Sequence, residues 1–392
     1  VPASVPAPIP LAATETVAST PIKIGVLNPT SGPLGTFGQD VNVGMELFWQ
    51  TMQHEIAGQP VALIFGDTGG EAEQALAAAQ RLVDEEGVDL LMGIVNSSVA
   101  GPVAAFADER QMPLVITIAG AAAVTGPERS PYVFRTAMAN GQQERPLAAY
   151  LVTHMGHQRA ATIAWDFPAG AERSAAFGDA FTEAGGVVVT TLHPPLGTDD
   201  FDPYLDALDP TEIDVLYAFL TGPQAVSFMQ QLRQRAGFAD LLVVGSGYLT
   251  AGVLQQMEAN ALPMIQASAY TSAIDSPAHA AVIQSWLNDP SGLLPSYEAK
   301  VRATADGYVM EGYLGAAVVA QAIAAIDGNS GDRASLRQAL GAVTFESVSG
   351  PFRFDTHGQA IRDLYLTELV AGQSGEIGPE LAEIIPNVSQ SH

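Results

Sequence analysis

Short apolar runs rich in β-branched residues recur along this chain, each followed by a Gly-, Pro- or Ser-rich turn and then by a helical pattern. The first unit is the run 22–27, a loop over 28–40 and a stretch 41–52 that places Val41, Met45, Phe48 and Met52 on one helical face. Runs at 61–65, 88–95 and 113–118 head further units of the same kind. Parallel strands need helical crossovers, and a sheet built that way is covered on both faces, so its strands read as unbroken apolar runs. The alternation therefore predicts a doubly wound parallel α/β sheet, with ligands bound beyond the carboxyl ends of its strands.

Around 131–136 the rhythm pauses and then restarts, with strand-like runs at 160–165, 187–191, 215–220 and 241–244 separated by helical stretches. No fixed-period repeat is present, only two similar halves. At 392 residues the chain is longer than one core usually supports, so two α/β lobes with a cleft between them are expected. The longest helix is predicted over about 302–326 and a shorter one over 334–342, before a closing segment at 352–358. Residues 1–20, with four prolines and no basic residue, read as a disordered tether rather than a signal peptide.

Composition removes several classes of function. Forty-two acidic against 16 basic residues give a formal charge of -26, which repels a phosphate backbone, so no nucleic acid partner is expected. The absence of cysteine excludes disulfides and thiolate chemistry. No apolar run reaches the roughly 18 residues that span a bilayer. Glycines 32, 35 and 38 have the wrong spacing for a dinucleotide loop, and neither lysine follows a phosphate-binding loop. His154 and His157 bracket Gly156 at a helix end, a capping arrangement rather than a metal site. No nucleophile elbow or zinc-binding pair of histidines occurs, so neither a cofactor, a metal nor a catalytic residue is expected.

Two kinds of residue at strand exits remain informative. Ser97 and Ser98 stand where a strand gives way to a helix; there a hydroxyl either caps the helix or joins its free amides in receiving a carboxylate. Phe37, Trp165, Phe167, Phe219 and Tyr248 put large flat groups at exits that should be polar, which suits an apolar or aromatic ligand, although packing of each loop on its own lobe is the alternative. Thr221 lies at another exit.

Four stretches in this order resemble the extracellular solute-binding proteins of ABC transporters of the leucine/isoleucine/valine-binding type. They are 24–40 with Gly44; 93–98 with Pro102 and 113–116; 132–136; and 349–355 with Gly358. The resemblance spans roughly 21–373 and implies the type I periplasmic binding protein fold: two doubly wound parallel-sheet lobes joined by a three-crossing hinge. Lobe 1 would comprise 21–138 plus 267–346, lobe 2 would comprise 139–266 plus 347–376, and 377–392 would be a C-terminal tail. By position, Ser97 is similar to the serine that binds a ligand carboxylate, Ala119 to a backbone contact and Phe37 to an aromatic pocket wall.

Departures from that family's amino-acid binders bear on the ligand. Ala121 stands where they have a threonine, Gly247 followed by Tyr248 where they carry the acidic partner of the α-ammonium, and Ala169 where a tyrosine precedes a glycine. A buried ammonium without a carboxylate is costly, unless Asp166 or Asp40 substitutes. The expected ligand is a small carboxylate or amide with an apolar or aromatic body, bound by Phe37, Ser97, Ser98, Ala119, Ala121, Phe167, Thr221, Gly247 and Tyr248. The resemblance further implies a monomeric periplasmic or extracellular receptor, lipid-anchored or free, that serves an ABC permease. A sensory domain of the same fold, a sugar-responsive repressor of the same fold and an α/β enzyme are the alternatives.

Overall fold

The computed structural model describes residues 20–373 and 375–390. The expected tether lies outside the described residues except for Thr20. The first sheet is laid down by β1 (Ile22–Asn28), α1 (Gly35–Thr51), β2 (Glu55–Ile56), β3 (Gln59–Asp67), α2 (Ala72–Asp84), β4 (Leu90–Gly93), α3 (Ser97–Glu109), β5 (Leu114–Ile116) and β6 (Val133–Arg135). Its strand order is β2-β3-β1-β4-β5-β6, parallel throughout except for the β2–β3 hairpin. β1 is buried at six of its seven positions because helices cover both faces of the sheet.

The chain then crosses over and builds a second sheet from α4 (Glu144–Thr153), β7 (Arg159–Ala164), α5 (Pro168–Glu183), β8 (Val187–Leu192), α6 (Asp202–Leu205), β9 (Val215–Phe219), α7 (Gly222–Gln234), β10 (Leu242–Ser246), α8 (Leu254–Met257) and β11 (Met264–Ser268). It returns to the first lobe as α9 (Pro277–Leu287), α10 (Tyr297–Ala305), α11 (Gly307–Ala324) and α12 (Arg333–Gly341), and ends in β12 (Thr344–Ser347), β13 (Gly350–Phe354), β14 (Ala360–Ala371) and β15 (Ile377–Val388). The second sheet runs β12-β13-β14-β11-β10-β9-β7-β8, with β15 paired antiparallel to β14. Two mixed α/β lobes result, as the alternation predicts.

Two expectations are corrected. Residues 377–388 are not a tail: they form β15, whose register on β14 runs from Ile377 opposite Ala371 to Val388 opposite Arg362. The single helix expected over 302–326 is two, because the Asp306 carboxylate accepts hydrogen bonds from the backbone N–H groups of Tyr308 (2.8 Å) and Val309 (3.3 Å) and so starts α11 afresh. α11 packs on α1 at glycine-to-backbone distance; a Cβ on Gly44 would lie 1.8 Å from the Val309 carbonyl oxygen, and one on Gly312 would lie 2.1 Å from that of Val41.

Between the lobes, the Arg362 guanidinium on β14 gathers all three crossings. It donates to the Thr136 carbonyl (3.2 Å), the Ala269 carbonyl (3.2 Å) and the Ser349 hydroxyl (3.0 Å), and pairs with Glu311 of α11 at 2.6 and 2.8 Å. Arg135 acts similarly, donating to Gln359 at 2.6 Å, Ala121 at 2.6 Å, Ala119 at 3.3 Å and Thr125. Arginine supplies a planar fork of five donors, and here the fork locks the hinge.

Candidate functional site

The carboxyl ends of β1, β4, β7 and β9 face one another across the interlobe cleft, and the loops after them carry large flat side chains. Phe37, at the start of α1, stacks on Tyr308 of α11 with centroids 4.8 Å apart, and Tyr308 in turn meets Tyr248 at 4.9 Å. Phe167 stacks on Phe219 from the second lobe at 6.2 Å. With Trp165 and Thr221 these residues enclose a chamber of about 50 Å³, which adjoins an outer cleft of about 490 Å³ through Leu34, Phe37, Trp165, Leu196 and Thr221.

The polar lining comes from both lobes. From the first, Ser97 opens α3 and is buried, with its hydroxyl 3.5 Å from the Asn140 amide nitrogen. Asn96, not either serine, caps α3: its side-chain oxygen accepts the Ser98 N–H at 3.1 Å and the Ser98 hydroxyl at 2.8 Å. Capping therefore consumes Ser98, which is exposed, and leaves the Ser97 hydroxyl facing the chamber. From the second lobe comes Arg173, 3% exposed on α5, whose Nη1 donates to Glu144 at 2.6 Å. The Glu144 carboxylate also accepts from the Gly141 N–H (2.9 Å) and the Tyr217 hydroxyl (3.2 Å). Burial works against the Arg173 charge, but Glu144 and the Tyr217 and Tyr248 hydroxyls together outweigh it, so its pKa is raised. The guanidinium lies 4.7 Å over the Phe219 ring and 5.6 Å from that of Tyr248.

The chamber thus brings Phe37, Ser97, Trp165, Phe167, Phe219, Thr221 and Tyr248 together, and leaves Ser98, Ala119, Ala121 and Gly247 outside its lining. The carbonyls of Ala119 and Ala121 are held by Arg135. Gly247 borders a separate small cavity at the hinge, shared with Tyr248 and Gln143, where a Cβ would stand 2.8 Å from the Ser268 hydroxyl. Neither Asp166 nor Asp40 substitutes for the missing acid in the chamber. Asp166 is exposed, and Asp40 in the outer cleft is paired with Arg302 at 2.7 Å.

Sequence reasoning missed Asn140, Arg173 and Tyr308. Tyr308 reaches Phe37 only through the return of the chain to lobe 1. Arg173 did leave a signal: it interrupts the buried stripe Ala169, Ala176, Phe177, Ala180 of α5, where a charge needs a partner.

A family model for periplasmic binding proteins matches residues 21–374. The Leu/Ile/Val-binding protein homolog 6 of Brucella melitensis is 27% identical over 363 residues, covering 90% of this chain and 89% of the relative. An ABC transporter substrate-binding protein from Sphaerobacter thermophilus is 31% identical and superposes with a TM-score of 0.86 over 94% of this chain and 99% of that one. The solute-binding protein of an ABC transporter from R. palustris, solved in complex with benzoate, is 26% identical with a TM-score of 0.82, covering 94% and 98%.

Proposed function

This chain belongs to the periplasmic binding protein family, and on that premise we propose that its lobes close over a compact aromatic carboxylate and hand it to the permease of an ABC importer. One observation carries the reading of the ligand: the chamber is walled by Phe37, Trp165, Phe167, Phe219, Tyr248 and Tyr308, and the one charged side chain among its described lining residues is Arg173. An α-amino acid would bring an ammonium into this space with no carboxylate to meet it, at a cost of several kcal/mol. An aromatic acid brings a ring that the walls can stack on, worth about 1.5–3 kcal/mol in burial. It also brings a carboxylate that suits the Ser97 hydroxyl and the amino-terminal end of α3. The benzoate carried by the R. palustris neighbour supports the same chemistry.

The role is capture, not turnover, in the periplasm or at the outer membrane surface. Among the described residues no helix is long and apolar enough to cross a membrane. Calorimetric titration with benzoate and with leucine tests the reading. Benzoate is expected to bind with a dissociation constant near or below about 1 μM, roughly 8 kcal/mol, and leucine to give no saturable heat. Saturable leucine binding with no benzoate binding overturns it.

A further inference from the structure

We propose that Arg173 reads a second oxygen on the ligand, presented to lobe 2 while the carboxylate lies against Ser97 of lobe 1, so that the preferred solute is an oxygen-substituted aromatic acid. The proposal rests on the aromatic-acid reading above and adds to it a residue and a ligand group. Arg173 lines the chamber and is almost fully buried, yet its Nε has no hydrogen-bond partner among the described residues. A buried donor left unpaired carries a desolvation penalty that a bound ligand can recover. Glu144 fixes Nη1 at 2.6 Å, and Phe219 supports the guanidinium face at 4.7 Å, so the Nε edge is held in place before any ligand arrives.

The character of the missing partner follows from charge and count. Glu144 already balances the guanidinium, so a second full carboxylate here would leave the buried group with an excess negative charge. A neutral acceptor meets the unpaired Nε–H without adding charge, and a phenolic hydroxyl, an ether or a carbonyl oxygen provides one. Arg362 also leaves its Nε unpaired, but that side chain is not among the residues lining the chamber, and its two Nη groups are bonded across the hinge. Among the buried arginines described, Arg173 alone combines an unpaired Nε with a place on the chamber wall.

The test measures binding of benzoate, 3-hydroxybenzoate and 4-hydroxybenzoate by calorimetry, in the wild type and in the double variant Arg173→Met with Glu144→Gln, which removes both charges together. In the wild type the better hydroxybenzoate is expected to bind at least about tenfold tighter than benzoate. In the double variant the ratio between the acids should fall to about one, so that they bind alike. Should the double variant fail to fold, Arg173→Lys keeps a cation opposite Glu144, removes the Nε edge and is expected to show the same loss of preference. Equal wild-type binding of all three acids overturns the assignment to Arg173 and leaves the aromatic-acid reading standing. A preference that survives in either variant does the same. Loss of benzoate together with the hydroxybenzoates shows that Arg173 holds the carboxylate, which also overturns the proposal. If the wild type binds none of the acids, the underlying reading fails and the proposal fails with it.

Discussion

The hinge and the chamber both bury arginine, and they satisfy it differently. In the hinge, Arg135 has acceptors on all three of its nitrogens, and Arg362 joins three crossings and a carboxylate. In the chamber, Arg173 has a single carboxylate partner, and the Asn140 Oδ1 and Trp165 Nε1 atoms that border the same space have no hydrogen-bond partner among the described residues. Buried polar groups in a folded protein are nearly always bonded, so the three unpaired atoms on the chamber wall are ones that a ligand can complete, whereas the unpaired Nε of Arg362 lies in the hinge. The hinge arginines hold the fold, and the chamber arginine awaits something.

The largest predicted effect breaks the hinge side of this contrast. Arg362→Met leaves Glu311, whose pKa burial already raises against the pull of Arg362, as a lone buried carboxylate. Denaturant unfolding should show a loss of about 3–5 kcal/mol, and adding Glu311→Gln should recover part of it. A wild-type midpoint in the single variant would show that the hinge does not depend on this pair.

An intermediate effect comes from Asp306, which caps the helix that carries both Tyr308 of the chamber and Glu311 of the hinge. Burial, reinforced by Asp40, pushes its pKa up to about 7 despite Arg302. A carboxyl whose folded pKa is raised stabilises the fold when protonated. That contribution is full below the ordinary carboxylate value near pH 4 and is lost as the pH rises through about 7. Asp306→Asn keeps the cap and removes the titration. Melting curves should therefore show the variant gaining on the wild type between pH 5 and 7, by about 2 kcal/mol; parallel curves would rule this out.

The smallest effect sharpens the chamber side. Because Asn96 caps α3, Ser97→Ala should leave stability unchanged and weaken benzoate binding about tenfold, or about 1.4 kcal/mol. Lost stability with unaltered affinity would return Ser97 to a structural role.

These contrasts also explain what the sequence makes legible. The strand–turn–helix units are readable because fully covered parallel strands are uninterrupted apolar runs, as β9 is. β15 is not, because Pro379 and Pro386 break its pattern; such prolines are tolerated on an edge strand paired only to β14. Phe37, Phe167 and Tyr248 are legible as aromatic exits. Their company is not, since Arg173 lies within α5 and Tyr308 is brought to Phe37 by tertiary packing alone. Ser97 is legible as a helix start, but only the geometry of Asn96 separates cap from ligand group.

The central claim is that the chamber accepts an aromatic carboxylate and offers an ammonium no partner. Phenylacetate and phenylglycine differ only by the α-ammonium, so titrating the wild-type protein with each by calorimetry isolates that group. The account predicts saturable phenylacetate binding, with phenylglycine at least about a hundredfold weaker. Equal or tighter binding of phenylglycine would contradict it.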